Sequence, residues 1–154
     1  EIKHNAVDVN ACCQASIDAA GASFDPGVRL IFEPACDELI INSNYNYIVQ
    51  VLDNLLGNAS KFTHEGSVTL AYEVKKEENQ LIFTVTDTGI GIPPEFQERI
   101  FDPFFRVDKS RSRAMGGAGL GLALVNEIAR QHGGLVKVLE SSKKGSTIAL
   151  ILPL

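Results

Sequence analysis

The sequence predicts an α+β sandwich, an antiparallel or mixed sheet with helices on one face. Three observations lead there. Two pairs of segments alternate apolar and polar residues across short polar turns: "SVTLAYEVK" and "QLIFTVTD" flank "KEEN", and "LVKVLES" and "STIALILPL" flank "SKKG". Other segments repeat apolar residues at helical spacing. The elements then follow the order helix, strands, helix, hairpin, helix, hairpin, which suits a sheet covered by helices.

Element by element, "AVDVNACCQASIDAA", residues 6–20, reads as the first helix, ended by Gly21 and the "FDPG" turn. "VRLIFE" and "DELIIN" read as strands divided by Pro34. Asn44 suits the N-cap of a helix of about 17 residues, whose apolar stripe is Leu52, Leu55, Leu56, Ala59 and Phe62 and which "THEG" closes. After the first hairpin, "PPEFQERIF" reads as a short helix with proline at its start. "LGLALVNEIARQHGG" reads as a helix closed by a glycine pair, ahead of the final hairpin. Residues 101–118, "FDPFFRVDKSRSRAMGGA", fit neither layer. Arg106, Lys109, Arg111 and Arg113 outnumber Asp102 and Asp108 there, in an otherwise acidic protein. Such a segment is either a solvated loop or a lid that closes over an anion.

The chain has 154 residues and a net charge of -5, with a pI of about 5.2. That length fits one domain over residues 1–154 with a proper core. The charge disfavours nucleic acid as a partner, because such binders need a basic surface. No stretch approaches the roughly 20 apolar residues of a membrane span, so no direct membrane contact is expected. Because it begins at Glu1, the chain is expected to be part of a longer protein. Cys12, Cys13 and Cys36 form no metal-binding pair. Three reduced thiols within the core of a cytoplasmic protein are expected.

The central helix holds the first chemical signal. Gln50, Asn54, Asn58 and Lys61 form a narrow polar strip at the rim of its apolar stripe. Asparagine is a poor helix former, and Gly57 between the two amides is worse. Amide oxygens can ligate a hard cation such as Mg²⁺ and an ammonium can meet phosphate. The plainer reading is a pair of rim amides capping a neighbouring strand or loop. "DTGIGIP" follows directly on a strand. There Asp87 can accept from an exocyclic amine, favouring adenine over guanine, while Gly89 and Gly91 let backbone come close. The plainer reading is a turn without a ligand. In "GGAGLGLAL", Gly117, Gly119 and Gly121 offer backbone N–H groups to an anion at a helix start. It is not a Walker A loop, and Leu124 stands where a dinucleotide fingerprint needs its third glycine. Together these signals, in this order, suit different parts of Mg-ATP.

On these motifs the chain resembles the catalytic ATP-binding domain of bacterial sensor histidine kinases, in the Bergerat-fold (GHKL) superfamily. "QVLDNLLGNASKFT" is similar to the asparagine box, "DTGIGIP" to the first glycine box, "FDPFFR" to the phenylalanine box and "GGAGLGLALVNEIARQHGG" to the second glycine box. The resemblance implies a two-layer sandwich with a mostly antiparallel sheet of about five strands. It also implies three main helices on one face and a flexible ATP lid over 101–118. It implies ATP and Mg²⁺ as cofactors, with Asn58 as metal ligand and Asn54 and Lys61 beside the phosphates. Phe62, Gly91 and Ile92 would line the base, and Asp87 would bind its amine with a water shared by Thr147. Arg106 would reach the phosphates from the lid, and Gly119, Leu120 and Gly121 would donate N–H groups to them. Gly89, Phe105, Gly117 and Leu122 would complete the pocket.

The resemblance also explains the paired amides. In the superfamily's ATPases, a glutamate one turn before the metal-binding asparagine activates water. Asn54 holds that place here, which implies phosphoryl transfer to an acceptor rather than fast hydrolysis. Two departures are mild: Ala118 where threonine is frequent, and Asn44 where aspartate is. The acceptor histidine, typically in "H-E-[LIF]-R", is absent, since His4, His64 and His132 have other surroundings. An upstream dimerisation and phosphoacceptor helical domain and the receiver domain of a response regulator are the implied partners. The parent would be a homodimer, cytoplasmic or anchored in the bacterial cytoplasmic membrane. The alternative is a Bergerat ATPase, or a regulatory nucleotide-binding module.

Overall fold

The computed structural model describes residues 4–89, 97, 100, 101, 121–142 and 144–154. Its elements are β1 (Asn5–Asp8), α1 (Val9–Ala20), β2 (Val28–Glu33), β3 (Ile40–Ser43), α2 (Tyr45–Phe62), β4 (Gly66–Lys75) and β5 (Gln80–Asp87). They continue with α3 (Gly121–Gln131), β6 (Leu135–Ser142) and β7 (Gly145–Pro153). Five strands form one mixed sheet in the order β2-β4-β5-β7-β6. Only β2 runs parallel to its neighbour β4, and the other three pairings are antiparallel. With three helices among the described residues, this is the α+β sandwich that the sequence predicts.

Alternation along the strands decides which face receives the helices. In β5, Leu81, Phe83, Val85 and Asp87 are buried, while Ile82 and Thr84 are half-buried and Thr86 is exposed. β7 repeats the pattern with Ser146, Ile148, Leu150 and Leu152 on the buried side. Onto this face α2 lays Ile48, Val51, Leu52, Leu55, Leu56 and Ala59, all part of the same core cluster. α2 packs on β4 and β5 and also touches α1 and α3, so it is the centre of the helical layer. Fully burying one of its leucines contributes about 1.5–3 kcal/mol, which outweighs the penalty of roughly 1 kcal/mol for Gly57. Asn44 caps α2 as expected, accepting from the Tyr47 amide at 3.1 Å.

The start of the chain differs from expectation. Residues 6–8 are not helical. They belong to β1, which pairs antiparallel with β3 in a separate two-stranded sheet. The helix begins at Val9, three residues later than expected, because Asp8 acts as its N-cap, accepting from the Ala11 amide at 3.2 Å. "DELIIN" is likewise shorter than expected. Only Ile40–Ser43 is strand, and it stands outside the main sheet. Residues 36–39 are held by other bonds: the Asn10 amide donates to the carbonyls of Cys36 and Asp37 at 2.9 Å each, and the Val9 amide to that of Leu39 at 2.9 Å. The "KEEN" turn is as expected, with Asn79 at φ 54, a left-handed value that asparagine tolerates. α3 ends with His132 donating Nδ1–H to the Ile128 carbonyl at 2.9 Å, followed by Gly133 at φ 76. "PPEFQERIF" and the lid segment lie outside the described residues, apart from Gln97, Ile100 and Phe101.

The cysteines also divide. Cys12 and Cys13 are buried on α1, as expected, but Cys36 is exposed in the β2–β3 connection. Burial is the main cause that pushes both α1 thiols up to about 12, aided by the nearby Asp8 charge at Cys12 and by Cys12 at Cys13. The thiolate is the reactive form, so both should be inert in the folded protein. Titration with a thiol-specific chromogenic reagent near pH 8 should label Cys36 rapidly in the native chain and all three thiols only after denaturation. Rapid labelling of Cys12 or Cys13 in the folded protein would contradict this packing.

Candidate functional site

Three elements bring their ends to one edge of the sandwich. β5 ends at Asp87, and Ser146 near the start of β7 is its register partner. α2 ends at Phe62 and reaches β4 within a few residues, and Val68 near the start of β4 also pairs with Asp87. α3 terminates near Leu135, which pairs with Ile151 at the far end of β7, so its first residue, Gly121, lies on the Asp87 side. The polar end of α2, the end of β5 and the start of α3 therefore converge.

Asp87 is the centre of this edge. It is only 7% exposed, and a buried carboxylate needs donors. Two are supplied. The Ser146 hydroxyl donates to Oδ2 at 2.8 Å, and the Gly89 amide donates to Oδ1 at 2.9 Å. A carboxylate has about four acceptor positions, so capacity remains for a further donor. Gly145 makes the arrangement possible. It adopts φ +133, and a Cβ there would lie 1.9 Å from the Asp87 carbonyl oxygen. Only glycine allows β7 to enter this close beside β5.

Ser146 was not among the residues singled out in the sequence. Thr147, expected to act with Asp87, faces the other way. Its Oγ1 meets that of Thr86 at 3.1 Å, on the sheet face opposite Asp87. The signal was available in the strand alternation, since Ser146 shares its parity with the buried Ile148, Leu150 and Leu152.

On α2, Asn54, Asn58 and Lys61 are all half-buried, as a rim position requires. The Asn54 Nδ2 donates to the Gln50 carbonyl one turn earlier at 3.0 Å, so its remaining polar atom is an acceptor oxygen. Ser60 similarly donates to the Gly57 carbonyl at 2.8 Å. The strip thus offers amide oxygens followed by an ammonium, a donor set that fits a hard divalent cation and phosphate. Leu122 is packed against the core on α3, directly after Gly121. Gly91, Ile92, Phe105, Arg106, Gly117, Gly119 and Leu120 lie outside the described residues, as does the Phe62 side chain. Among the described residues no cluster of three or more His, Cys, Asp or Glu could hold a metal. No described helix is long and apolar enough to cross a membrane.

Ser146→Ala should leave Asp87 with one donor fewer in a buried setting, lowering unfolding free energy by about 1–3 kcal/mol. Thr147→Ala, on the more open face, should cost distinctly less. Urea denaturation of the two variants measures this. Equal losses would mean that Ser146 does not support the carboxylate.

Residues 43–154 match the family model described as "Histidine kinase-, DNA gyrase B-, and HSP90-like ATPase". The chain is 44% identical over 117 residues to the sensor histidine kinase WalK of Bacillus subtilis, covering 75% of this chain and 19% of that protein. It is 38% identical over 147 residues to the sensor-like histidine kinase SenX3 of Mycobacterium tuberculosis, covering 96% of this chain and 36% of that protein. It therefore spans well under half the length of these relatives. Among solved structures, full-length ShkA in complex with AMPPNP superposes with a TM-score of 0.86 at 28% identity, over 99% of this chain and 31% of that one. The mycobacterial sensor histidine kinase MprB gives 0.81 at 24% identity over 97% of each chain, which speaks for the fold alone. With its motifs, its sheet and its relatives in agreement, the chain belongs to the histidine kinase-, DNA gyrase B- and HSP90-like ATPase family, as an ATP-binding domain of the sensor histidine kinase kind.

Proposed function

We propose that this domain binds Mg-ATP and donates the γ-phosphoryl group to a histidine on a separate dimerisation and phosphoacceptor domain of a two-component sensor kinase. The observation that carries the reading is the buried Asp87 carboxylate, held by Ser146 and Gly89 with acceptor capacity to spare. An adenine amine supplies the donor that such a group lacks. In the transfer, the bond from the γ-phosphorus to the bridging oxygen of ADP breaks. A bond to the imidazole nitrogen forms, and ADP leaves.

The remaining roles follow the polar edge. Asn58 would hold Mg²⁺ through its amide oxygen, and Asn54 would lie beside the phosphates. When bound, the metal neutralises phosphate charge. Lys61 meets phosphate, and the start of α3 at Gly121 offers backbone N–H groups to it. By the resemblance, Phe62, Gly91, Ile92, Phe105, Gly117, Gly119 and Leu120 would complete the pocket and Arg106 would act from a lid over 101–118. These assignments rest on the motif resemblance. Asn54 cannot serve as a general base near neutral pH, which favours transfer over an ATPase cycle. The domain would occupy 1–154 on the cytoplasmic side of a homodimeric parent, whose phosphate passes to a response regulator.

Two outcomes test the site. Asp87→Asn should weaken ATP roughly tenfold to a hundredfold, a loss of about 1–3 kcal/mol, while weakening GTP much less. Calorimetric titration of both nucleotides with a folded variant decides it, and an unchanged ATP-to-GTP preference would remove Asp87 from adenine recognition. Asn58→Ala should reduce affinity for Mg-ATP well beyond its effect on metal-free ATP, because one hard oxygen ligand is lost. Equal losses with and without Mg²⁺ would remove Asn58 from the metal site.

A further inference from the structure

We propose that the sheet face opposite the helices is a self-association surface, on which a second copy of this chain docks face to face about a two-fold axis running along β5. The described helices leave that face open. Core residues of α1, α2 and α3 pack with the inward residues of the strands, among them Val68 and Leu70 on β4 and Phe83 and Val85 on β5. The outward residues Thr69, Ala71, Ile82 and Thr84 are only half-buried. Asp87 is buried on the helical side, so the surface is independent of the nucleotide site.

Strand register sets the outward residues in rows across the sheet. One row runs from β2 to β6 as Glu33, Ala71, Thr84, Ala149 and Lys137. It has an acid at one end, a base at the other and no charge between. The neighbouring row runs from Ile31 on β2 to Glu140 on β6, and Arg29 stands two residues before Ile31 on the same face. The two edges of the sheet are therefore complementary, Arg29 and Glu33 on β2 against Glu140 and Lys137 on β6. All four side chains are exposed, and among the described residues none makes an ion pair within its own chain. Lys75 and Glu73 complete the charges of this face. They leave it neutral in a chain of net charge -5, so two copies repel least here.

Charge selects the symmetry. Two copies that share one face are related by a two-fold axis lying between the sheets. An axis across the strands would set each edge on itself, Glu33 against Glu33 and Lys137 against Lys137. An axis along β5, the middle strand, exchanges the edges. Lys137 then meets the second copy's Glu33, Glu140 lies towards its Arg29, and Ala71 opposes Ala149. Thr84 and Ile82 meet their own counterparts at the axis. Packed sheets stand about 10 Å apart, a gap that a lysine and a glutamate close from opposite sides. Five strands at about 4.8 Å spacing make a face about 24 Å wide. Over a similar length of strand, the pair buries roughly 1,000 Å² in total, the lower limit for a specific interface. The association is accordingly weak and reversible.

The test is sedimentation equilibrium of the purified chain at concentrations up to about 1 mM, where an interface of this size is populated. The wild type is compared with Lys137→Glu, with the double variant Lys137→Glu/Glu33→Lys and with Thr84→Arg, and melting temperatures show that each is folded. The wild type should form a dimer that dissociates on dilution and weakens as salt rises. Lys137→Glu reverses two symmetry-related pairs and should weaken that dimer about tenfold. The double variant pairs the charges again across the axis and should return to within about threefold of the wild type. Thr84→Arg sets two cations against each other at the axis and should leave a folded monomer. A wild type that stays monomeric throughout would overturn the proposal. So would a dimer indifferent to Thr84→Arg and Lys137→Glu, which would have to form through another surface such as the β6 edge. A double variant no tighter than Lys137→Glu would overturn the two-fold arrangement, and the proposal with it.

Discussion

The buried carboxylate of Asp87 is the constraint to which the rest of this polar edge answers. Taking a carboxylate out of water is costly unless donors meet it. Its donors come from two places that the chain could not otherwise align: the Ser146 hydroxyl one strand away and the Gly89 amide two residues on. Ser146 reaches it only if β5 and β7 pair in a register that sets Asp87 opposite Ser146. A slip of one residue would present Thr147 instead and turn the buried face of β7 outward. The apolar residues Ile148, Leu150 and Leu152 resist that slip, so the hydrophobic core and the polar site enforce the same register.

α2 resolves a similar conflict along its own length. Its stripe of Ile48, Leu52, Leu55 and Leu56 anchors it to the sheet, while the polar strip at its rim carries groups that helices do not favour. The anchoring burial is much larger than the propensity cost, so poor helix formers can be kept at the rim. The helix also runs directly into β4, whose first residues pair with the end of β5. Rim amides and strand-end carboxylate are thereby held by one continuous piece of chain.

Much of this was legible in the residues themselves. The hairpins showed in period-two alternation, the N-cap of α2 in Asn44, and the polar strip in its helical spacing. Less legible features depend on partners distant in sequence. "AVD", residues 6–8, continues a helical pattern on paper, yet Asp8 caps the helix and these residues pair with β3, a contact that local spacing does not encode. Cys36 resembled another buried thiol until the β2–β3 connection placed it at the surface. Alternation favours Ser146 over Thr147 as the partner of Asp87, whereas the resemblance names Thr147 in "GST". "GST" is the first part of β7.

The pairing of β5 with β7 also has a consequence for how this chain can diversify. The ends of the segment between them, from Thr88 to Lys144, are brought together by the pairing of Asp87 with Ser146, the last pair of the β5–β7 register. The entropy of closing such a loop grows only logarithmically, by about 0.6 kcal/mol for each doubling of length. Residues inserted between Gly89 and Gly121 would therefore tax the sheet very little. The sheet therefore tolerates a longer or shorter stretch at that place without a change in the register that sets Asp87 opposite Ser146.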